Sequence, residues 1–163
     1  MTNMFKGSGV ALVTPFNQDM QIDFDALASL VEYQIDNGTD FLVVQGTTGE
    51  SPTLSKSEKM DVLNEVIEIN EGRCKIVYGV GGNNTAAVAE SLADLPKGVD
   101  GILSVSPYYN KPIQKGIVEH FKYVASHTDL PIILYNVPGR TAVDMLVDTT
   151  SRLSEISNII GIK

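Results

Sequence analysis

Cysteine is almost absent from the sequence, with one thiol, Cys74, among 163 residues. A single cysteine excludes a disulfide within the chain and a zinc site built from four cysteines, and we expect an inert thiol. No apolar run approaches the roughly 20 residues that span a bilayer. Residues 1–9 lack the basic and then apolar pattern of a secretory signal. These absences predict a soluble, cytoplasmic protein without a membrane partner.

Basic residues are also scarce, because twelve Lys and Arg face twenty Asp and Glu, a formal net charge of -8. This balance argues against a nucleic-acid partner. A hydrophobic share of 43% with 20% charged residues indicates a packed globular core. His120 and His127 are seven residues apart without a clear ligand partner, so we expect no metal site. Residues 79–84 resemble a dinucleotide loop but have Asn84 in place of its third glycine, so we expect no nucleotide cofactor.

Six short apolar runs recur along the chain, and each is continuous and rich in β-branched residues. They cover residues 10–14, 41–45, 75–79, 101–105, 131–135 and 158–162. A continuous apolar run is typical of a strand that is buried on both faces, as in a parallel sheet.

Segments with helical punctuation separate these runs. Ser55 and Glu58 form a capping box before an apolar face, and Gly72 follows it. Further helices are predicted over residues 23–37, 85–95, 118–125 and 147–154. The chain is therefore an α/β protein with about six strands and five helices in alternation. An open doubly wound sheet needs six strands and a (β/α)8 barrel needs eight, so length alone favours the open sheet.

The chain ends at Lys163, directly after the sixth apolar run. A natural domain seldom ends there, so we expect a fragment of a longer polypeptide that would need about two more βα units to close as a barrel.

Polar side chains follow four of the predicted strands at their carboxyl ends, where parallel βα folds carry their active sites. Lys163 inside a barrel would be poorly solvated, and a neutral amine can attack a ketone to form a Schiff base. The alternative is a lysine that emerges into solvent. Tyr135 has a ring that we expect to be buried, as a general acid or base or as plain core packing.

Two further groups are suited to a carboxylate. Thr47 and Thr48 lie between glycines and offer hydroxyls and backbone N–H groups, although the same residues could form a simple turn. Arg140 has the planar fork that pairs with carboxylates, although most arginines are surface residues. Tyr108 and Tyr109 lie beside two prolines and predict an exposed aromatic loop, as an interface or a substrate wall.

Four motifs together resemble one enzyme family. They are residues 46–51 (GTTGES), 107–110 (PYYN), 135–141 (YNVPGRT) and 161–163 (GIK). In order and spacing they are similar to the dihydrodipicolinate synthases of the Schiff-base pyruvate aldolase superfamily. The resemblance covers about the amino-terminal half of such an enzyme. It implies a (β/α)8 TIM barrel instead of the open sheet, with residues 1–163 forming a partial barrel domain that contains strands 1 to 6.

The resemblance also implies residue roles. Lys163 would form the imine with pyruvate, and Tyr135 would transfer protons through Thr47 to Tyr109, which would come from a neighbouring subunit. Thr47 and Thr48 would hold the pyruvate carboxylate, and Arg140 would bind aspartate-semialdehyde. The protein would be a lyase of lysine biosynthesis by the diaminopimelate route, without a cofactor or metal, and a homodimer or homotetramer.

Alternatives within the superfamily stay open at this point. N-acetylneuraminate lyases and 2-keto-3-deoxy sugar-acid aldolases share the lysine and the tyrosine, but they usually have serine in place of Thr47 and lack Arg140. A non-catalytic half-barrel is a further alternative.

Lysine feedback would use residues matching Ser51, Asn83 and Tyr108. Lys56 and Lys59 stand where inhibited members often carry histidines, and Ala87 replaces a glutamate. Because two cations repel an ammonium group, we expect weak inhibition or none.

Overall fold

The computed structural model describes residues 4–163 and divides the chain into two units. The first unit contains residues up to Gly79 together with residues 96–100. The second contains residues 80–95 and 101–163.

The first unit is a parallel three-stranded sheet with two helices. Its strands are β1 (Gly9–Ala11), β2 (Phe41–Val44) and β3 (Lys75–Gly79), and its helices are α1 (Phe24–Asp36) and α2 (Lys56–Asn70). β2 lies between the other two strands, in registers that pair Gly9 with Phe41 and Leu42 with Ile76. Fully buried aliphatic side chains from both layers form the core, among them Leu27, Val31, Leu42, Leu63 and Ile76.

The sequence signals at the helix starts of this unit are confirmed. Asp23 caps α1 by accepting a hydrogen bond from the backbone N–H of Ala26 at 2.9 Å. Ser55 and Glu58 form the predicted capping box of α2, and the Ser55 bonds lower the pKa of the Glu58 carboxyl. The helix ends two residues before Gly72, because Glu71 already adopts a left-handed conformation with φ of 46°.

The second unit is a parallel sheet of β4 (Gly101–Val105), β5 (Ile132–Tyr135) and β6 (Ile159–Ile162). Its helices are α3 (Thr85–Glu90), α4 (Gln114–Ala125), α5 (Pro138–Thr141) and α6 (Val147–Leu153). β5 pairs with both other strands, so β6 has one paired edge within this unit. The core consists of fully buried side chains that include Ile102, Ile117, Phe121, Ile132, Leu134 and Leu153.

Several elements differ from their predictions, among them α4, which begins at Gln114 instead of residue 118. β1 is shorter than the apolar run at residues 10–14, and it begins at Gly9. α3 ends at Glu90 instead of residue 95, because the N–H groups of Leu92 and Ala93 bond to carbonyls three residues back and tighten the chain into turns before Pro96. The single-turn helix α5 was not predicted from the sequence. Along residues 4–163, no helix is long and apolar enough to cross a bilayer.

Candidate active site

The loop at residues 46–49, the threonine loop, follows β2 in the first unit. It forms a single 3-10 turn, Thr47–Gly49. The Thr14 hydroxyl donates a hydrogen bond to the Gly49 carbonyl oxygen at 2.7 Å, and that bond is buried. Both Thr47 and Thr48 are exposed. This buried hydrogen bond therefore anchors the loop backbone, while both threonine side chains remain open to solvent in this unit.

Lys163 and Tyr135 lie side by side in the second unit, and the backbone fixes their pairing. The Lys163 N–H donates to the Leu134 carbonyl oxygen at 2.8 Å, and the Asn136 N–H donates to the Lys163 carbonyl oxygen at 2.9 Å. These two bonds flank Tyr135 and make it the parallel-strand partner of Lys163. Paired residues in a sheet point to the same face, so the amine and the phenol share one face.

A bulge in β6 sets this register. Ile132 pairs with Ile159, whereas Ile133 pairs with Gly161, so Ile160 is an extra residue without a partner on β5. A bulge of this kind re-aims the side chains that follow it. The pairing continues from Gly161 up to the lysine at the end of the strand.

The Lys163 amine contacts the Tyr135 ring, with Nζ 4.8 Å from the ring centroid. That distance is within the range in which a cation is attracted to an aromatic face. The predicted shelter around the amine is not found, because Lys163 is exposed. The physical reason is that β6 has one paired edge, and its last three residues are exposed as well.

Tyr135 is half-buried and not fully buried as expected. Its neighbours on β5 explain the difference, because burial along this strand alternates between the complete burial of Ile132 and Leu134 and the partial exposure of Ile133 and Tyr135. The Tyr135 hydroxyl makes no hydrogen bond to any residue from 4 to 163. It is therefore a free donor and acceptor beside the amine.

Arg140 lies on α5, which follows β5 directly. The helix begins with Pro138 and its last residue, Thr141, is buried, whereas Arg140 is exposed. In the described part of the chain, the guanidinium makes no ion pair. An exposed fork on a one-turn helix is suited to an incoming carboxylate.

The aromatic loop after β4 projects into solvent as predicted. Tyr109 is 86% exposed and Tyr108 is 40% exposed. Tyr109 has a φ of 67°, a left-handed conformation that is uncommon for a tyrosine. The Asn110 side chain anchors the loop by donating to the Asn83 carbonyl oxygen at 3.0 Å.

The remaining residues with a predicted role are divided between the units. Ser51 starts a 3-10 turn, and Lys56 and Lys59 follow in the first turn of α2. Asn83 and Ala87 are exposed residues of the second unit. Ser51 is half-buried, and Lys56 is exposed.

Two residues near the site were missed by the sequence reasoning. Asn136 and Gln114 use their side-chain amides to hold the segment that follows α5. Asn136 belongs to the motif at residues 135–141, so its position directly after a strand was an available signal. Gln114 had no such signal, because a glutamine at a helix start is common on protein surfaces.

Cys74 is half-buried, and no disulfide is formed among the described residues. Burial raises the pKa of the Cys74 thiol, which donates to the Thr39 carbonyl oxygen at 3.1 Å. Among residues 4–163, no three histidine, cysteine, aspartate or glutamate side chains are grouped to hold a metal ion.

The comparison with known proteins agrees with the motifs. Residues 4–163 match the Dihydrodipicolinate synthetase family. The chain belongs to this family. A 4-hydroxy-tetrahydrodipicolinate synthase of Parabacteroides distasonis is 54% identical over 160 residues, which are 97% of this chain and 54% of that relative.

Solved structures of the family share the fold. The dihydrodipicolinate synthase of Aquifex aeolicus superimposes with a TM-score of 0.92 at 48% identity, over 98% of this chain and 55% of that one. The enzyme from Acinetobacter baumannii, solved as a chloride-inhibited complex with pyruvate, has a TM-score of 0.91 at 47% identity, over 96% of this chain and 54% of its own. The chain therefore has a partial (β/α)8 barrel fold with six strands. It spans about half the length of the curated relatives it matches.

Proposed function

We propose that this chain is part of a 4-hydroxy-tetrahydrodipicolinate synthase, a lyase that condenses pyruvate with aspartate-semialdehyde in the diaminopimelate route of lysine biosynthesis. The observation that carries the proposal is the pairing of Lys163 with Tyr135 on one face of the sheet, with Nζ 4.8 Å from the ring centroid. The Dihydrodipicolinate synthetase family to which the chain belongs supports the substrate pair, and we expect the enzyme to act in the cytoplasm.

The amine and the phenol supply the groups that the reaction needs. The Lys163 amine adds to the pyruvate ketone, and loss of water gives the imine. The imine withdraws electrons, so a methyl proton can leave to a base and form an enamine. The Tyr135 hydroxyl, free of other partners in the described residues, would carry protons in these steps.

The enamine carbon then forms a bond to the aldehyde carbon of the second substrate, whose oxygen takes a proton. The amino group of that substrate attacks the imine carbon intramolecularly and displaces the Lys163 amine, which closes the ring and restores the enzyme. Protons move in both directions during this sequence, which is why a chain of hydroxyls beside the amine is useful.

The carboxylates of the two substrates require separate partners. We assign the pyruvate carboxylate to the threonine loop, whose exposed Thr47 and Thr48 side chains and backbone N–H groups are suited to an anion. We assign the second carboxylate to the Arg140 guanidinium, which has no ion-pair partner in the described residues.

The aromatic loop points to an oligomer. A tyrosine that is 86% exposed in a left-handed backbone conformation gains little from its own chain. We propose that Tyr109 completes the proton relay of a neighbouring subunit through Thr47, in a homodimer or homotetramer.

Trapping the imine tests the proposal. The full-length protein that carries this sequence is incubated with pyruvate, reduced with borohydride and digested, and the peptide with Lys163 is weighed. We expect the mass of a reduced pyruvate adduct on Lys163, no adduct in Lys163→Arg, and a fall in kcat of about 10²-fold or more in Tyr135→Phe. A full-length protein that forms no adduct would favour the non-catalytic alternative and overturn the proposal.

A paired turnover assay separates the synthase from its relatives. The same protein is offered pyruvate with aspartate-semialdehyde and pyruvate with N-acetylmannosamine or a sugar aldehyde. Faster turnover of the sugar would identify a sugar-acid aldolase instead.

A further inference from the structure

Asn136 connects Lys163 to the far end of the segment that carries Arg140, through its backbone at one end and its side-chain amide at the other. Its backbone N–H donates to the Lys163 carbonyl oxygen at 2.9 Å. Its side-chain Nδ2 donates to Asp144 Oδ1 at 2.9 Å, and its Oδ1 accepts from the Met145 N–H at 3.1 Å. One residue at the end of β5 is therefore bonded to the backbone of the lysine that carries the proposed nucleophile and to the proposed carboxylate-binding segment.

Gln114, the first residue of α4, also bonds to the end of this segment. Its Nε2 donates to the Asp144 carbonyl oxygen at 2.8 Å. Its Oε1 accepts from the Leu146 N–H at 3.2 Å and from the Thr149 hydroxyl at 2.6 Å. Leu146 is the N-cap of α6 and has no capping side chain of its own, so Gln114 supplies an acceptor there.

Residues 137–146, the Arg140 segment, need such anchoring. Ala142 has a φ of 55°, a left-handed conformation that is unfavourable for an L-residue. Such a conformation persists only when the surroundings determine it. The buried Thr141 hydroxyl donates to the Val143 carbonyl oxygen at 2.8 Å and contributes to this control. The backbone is held at several points, while the guanidinium of Arg140 stays exposed.

We propose that Asn136 and Gln114 are positioning residues that fix the Arg140 guanidinium relative to the Lys163 imine and thereby select an aldehyde that carries a carboxylate. The inference rests on the function proposed above. A fork that binds two carboxylate oxygens depends on orientation, so a segment that can shift loses affinity for the second substrate. Pyruvate bound at Lys163 does not depend on the segment.

The first test removes each amide in the full-length protein. Asn136→Ala keeps the backbone bond to Lys163 but loses both side-chain bonds. We expect the KM for aspartate-semialdehyde to rise about tenfold or more, while the KM for pyruvate and the borohydride-trapped adduct stay within about twofold. Gln114→Ala should act in the same direction, and it carries the test if Asn136→Ala does not fold.

Asn158→Ala is the matched control. Asn158 also uses one side-chain amide in two bonds, from Nδ2 to the Ala125 and Thr128 carbonyl oxygens at 3.0 Å and 2.8 Å, before the start of β6. We expect a lower melting temperature with both KM values unchanged. An equal rise of the aldehyde KM in this control would reduce Asn136 to a structural role and overturn the proposal.

A double-variant cycle shows whether the amide acts through the arginine. In an Arg140→Ala background, Asn136→Ala should raise the aldehyde KM no further. Full additivity of the two KM changes would overturn the inference. So would a rise of the aldehyde KM in Arg140→Ala without any effect of Asn136→Ala and Gln114→Ala. Either outcome would leave the proposed function standing. A wild-type protein that forms no pyruvate adduct would overturn both.

Discussion

Gln45 is a buried amide at the point where β2 leads into the threonine loop. It is 4% exposed, and neither its Oε1 nor its Nε2 has a hydrogen-bond partner among the described residues. Its φ of 61° is left-handed. A Cβ at Gly79 would clash with the Gln45 carbonyl oxygen, so only glycine fits beside this backbone.

Replacing this amide should stabilise the protein. Gln45→Leu keeps a similar shape and removes two buried polar atoms that lack partners, so we expect the free energy of unfolding to rise by about 1–3 kcal/mol. Urea unfolding followed by circular dichroism measures it. The control Gln18→Leu changes an exposed glutamine and should stay within about 0.5 kcal/mol of wild type. A destabilised Gln45→Leu would show that the amide has a partner after all.

The two lysine residues at the start of α2 are relevant to inhibition of the enzyme by free lysine, the end product of the proposed pathway. Lys56 and Lys59 lie in one helical turn, and we propose that their charges repel a lysine ammonium group. In the full-length enzyme we expect little inhibition by lysine at submillimolar concentration, and Lys56→His with Lys59→His should increase the sensitivity. Turnover measured against lysine concentration checks both statements. Half-inhibition of the wild type below 1 mM, roughly the affinity scale of a weak ligand, would contradict the expectation of little inhibition.

At the scale of elements, His120 connects α4 to α3. It is 4% exposed, its Nδ1 lies 2.8 Å from the Thr85 hydroxyl, and its Nε2 has no partner in the described residues. Burial lowers the pKa of His120 from 6.5 to about 4. The folded protein therefore binds fewer protons than the unfolded chain between these values, so acidification favours unfolding.

This packing predicts a pH effect with a defined window. The contribution of neutral His120 is fully present above pH 6.5 and is lost as the pH falls towards about 4, up to about 3 kcal/mol in total. Urea unfolding at several pH values should show a shallower pH dependence for His120→Gln than for wild type. His127→Gln replaces the exposed histidine of the chain and is the matched control. Parallel slopes for His120→Gln and wild type would refute the assignment.

Most elements could be predicted because their signals are local. The run at residues 75–79 and the run at residues 101–105 are β3 and β4 in the structure, and the capping box of α2 depends on residues three apart. The bulge at Ile160 could not be predicted, because the side chains of residues 159–162 read as one uninterrupted strand. The exposure of Lys163 depends on how β6 pairs and packs in the folded chain, which no local sequence pattern predicts.

The site residues also divide into those that local motifs predict and those that depend on the folded chain. Motifs identified Lys163, Tyr135 and Arg140 as candidates, and the structure brings the first two together. The amides of Asn136 and Gln114 act on residues 8 to 35 positions away, so only the folded chain reveals them. The roles of Thr47, Thr48 and Tyr109 remain predictions.

At the scale of the whole molecule, the chain supplies about half the length of its relatives. Its strand β6 has one paired edge within the second unit, and Ile160 and Ile162 are 40% and 47% exposed there. An apolar strand with an open edge is a template for pairing with other chains.

We therefore expect the 163-residue chain by itself to self-associate and to show no turnover. Size-exclusion chromatography with light scattering measures the first property, and an assay with pyruvate and aspartate-semialdehyde measures the second. Ile160→Lys places a charge on the open strand and should reduce association without restoring turnover. A monomeric chain with cooperative melting and turnover would show that the remaining length of its relatives is dispensable.

The extra residue in β6 has a consequence for how such a protein can vary. Removing Ile160 would turn the bulge into regular pairing and would keep Lys163 opposite Tyr135, because that residue has no partner on β5. Losing Ile162 instead would bring the lysine opposite Leu134 and turn its side chain to the reverse side of the sheet, away from Tyr135. What inheritance must preserve there is the spacing between the bulge and the lysine, more strictly than the letters.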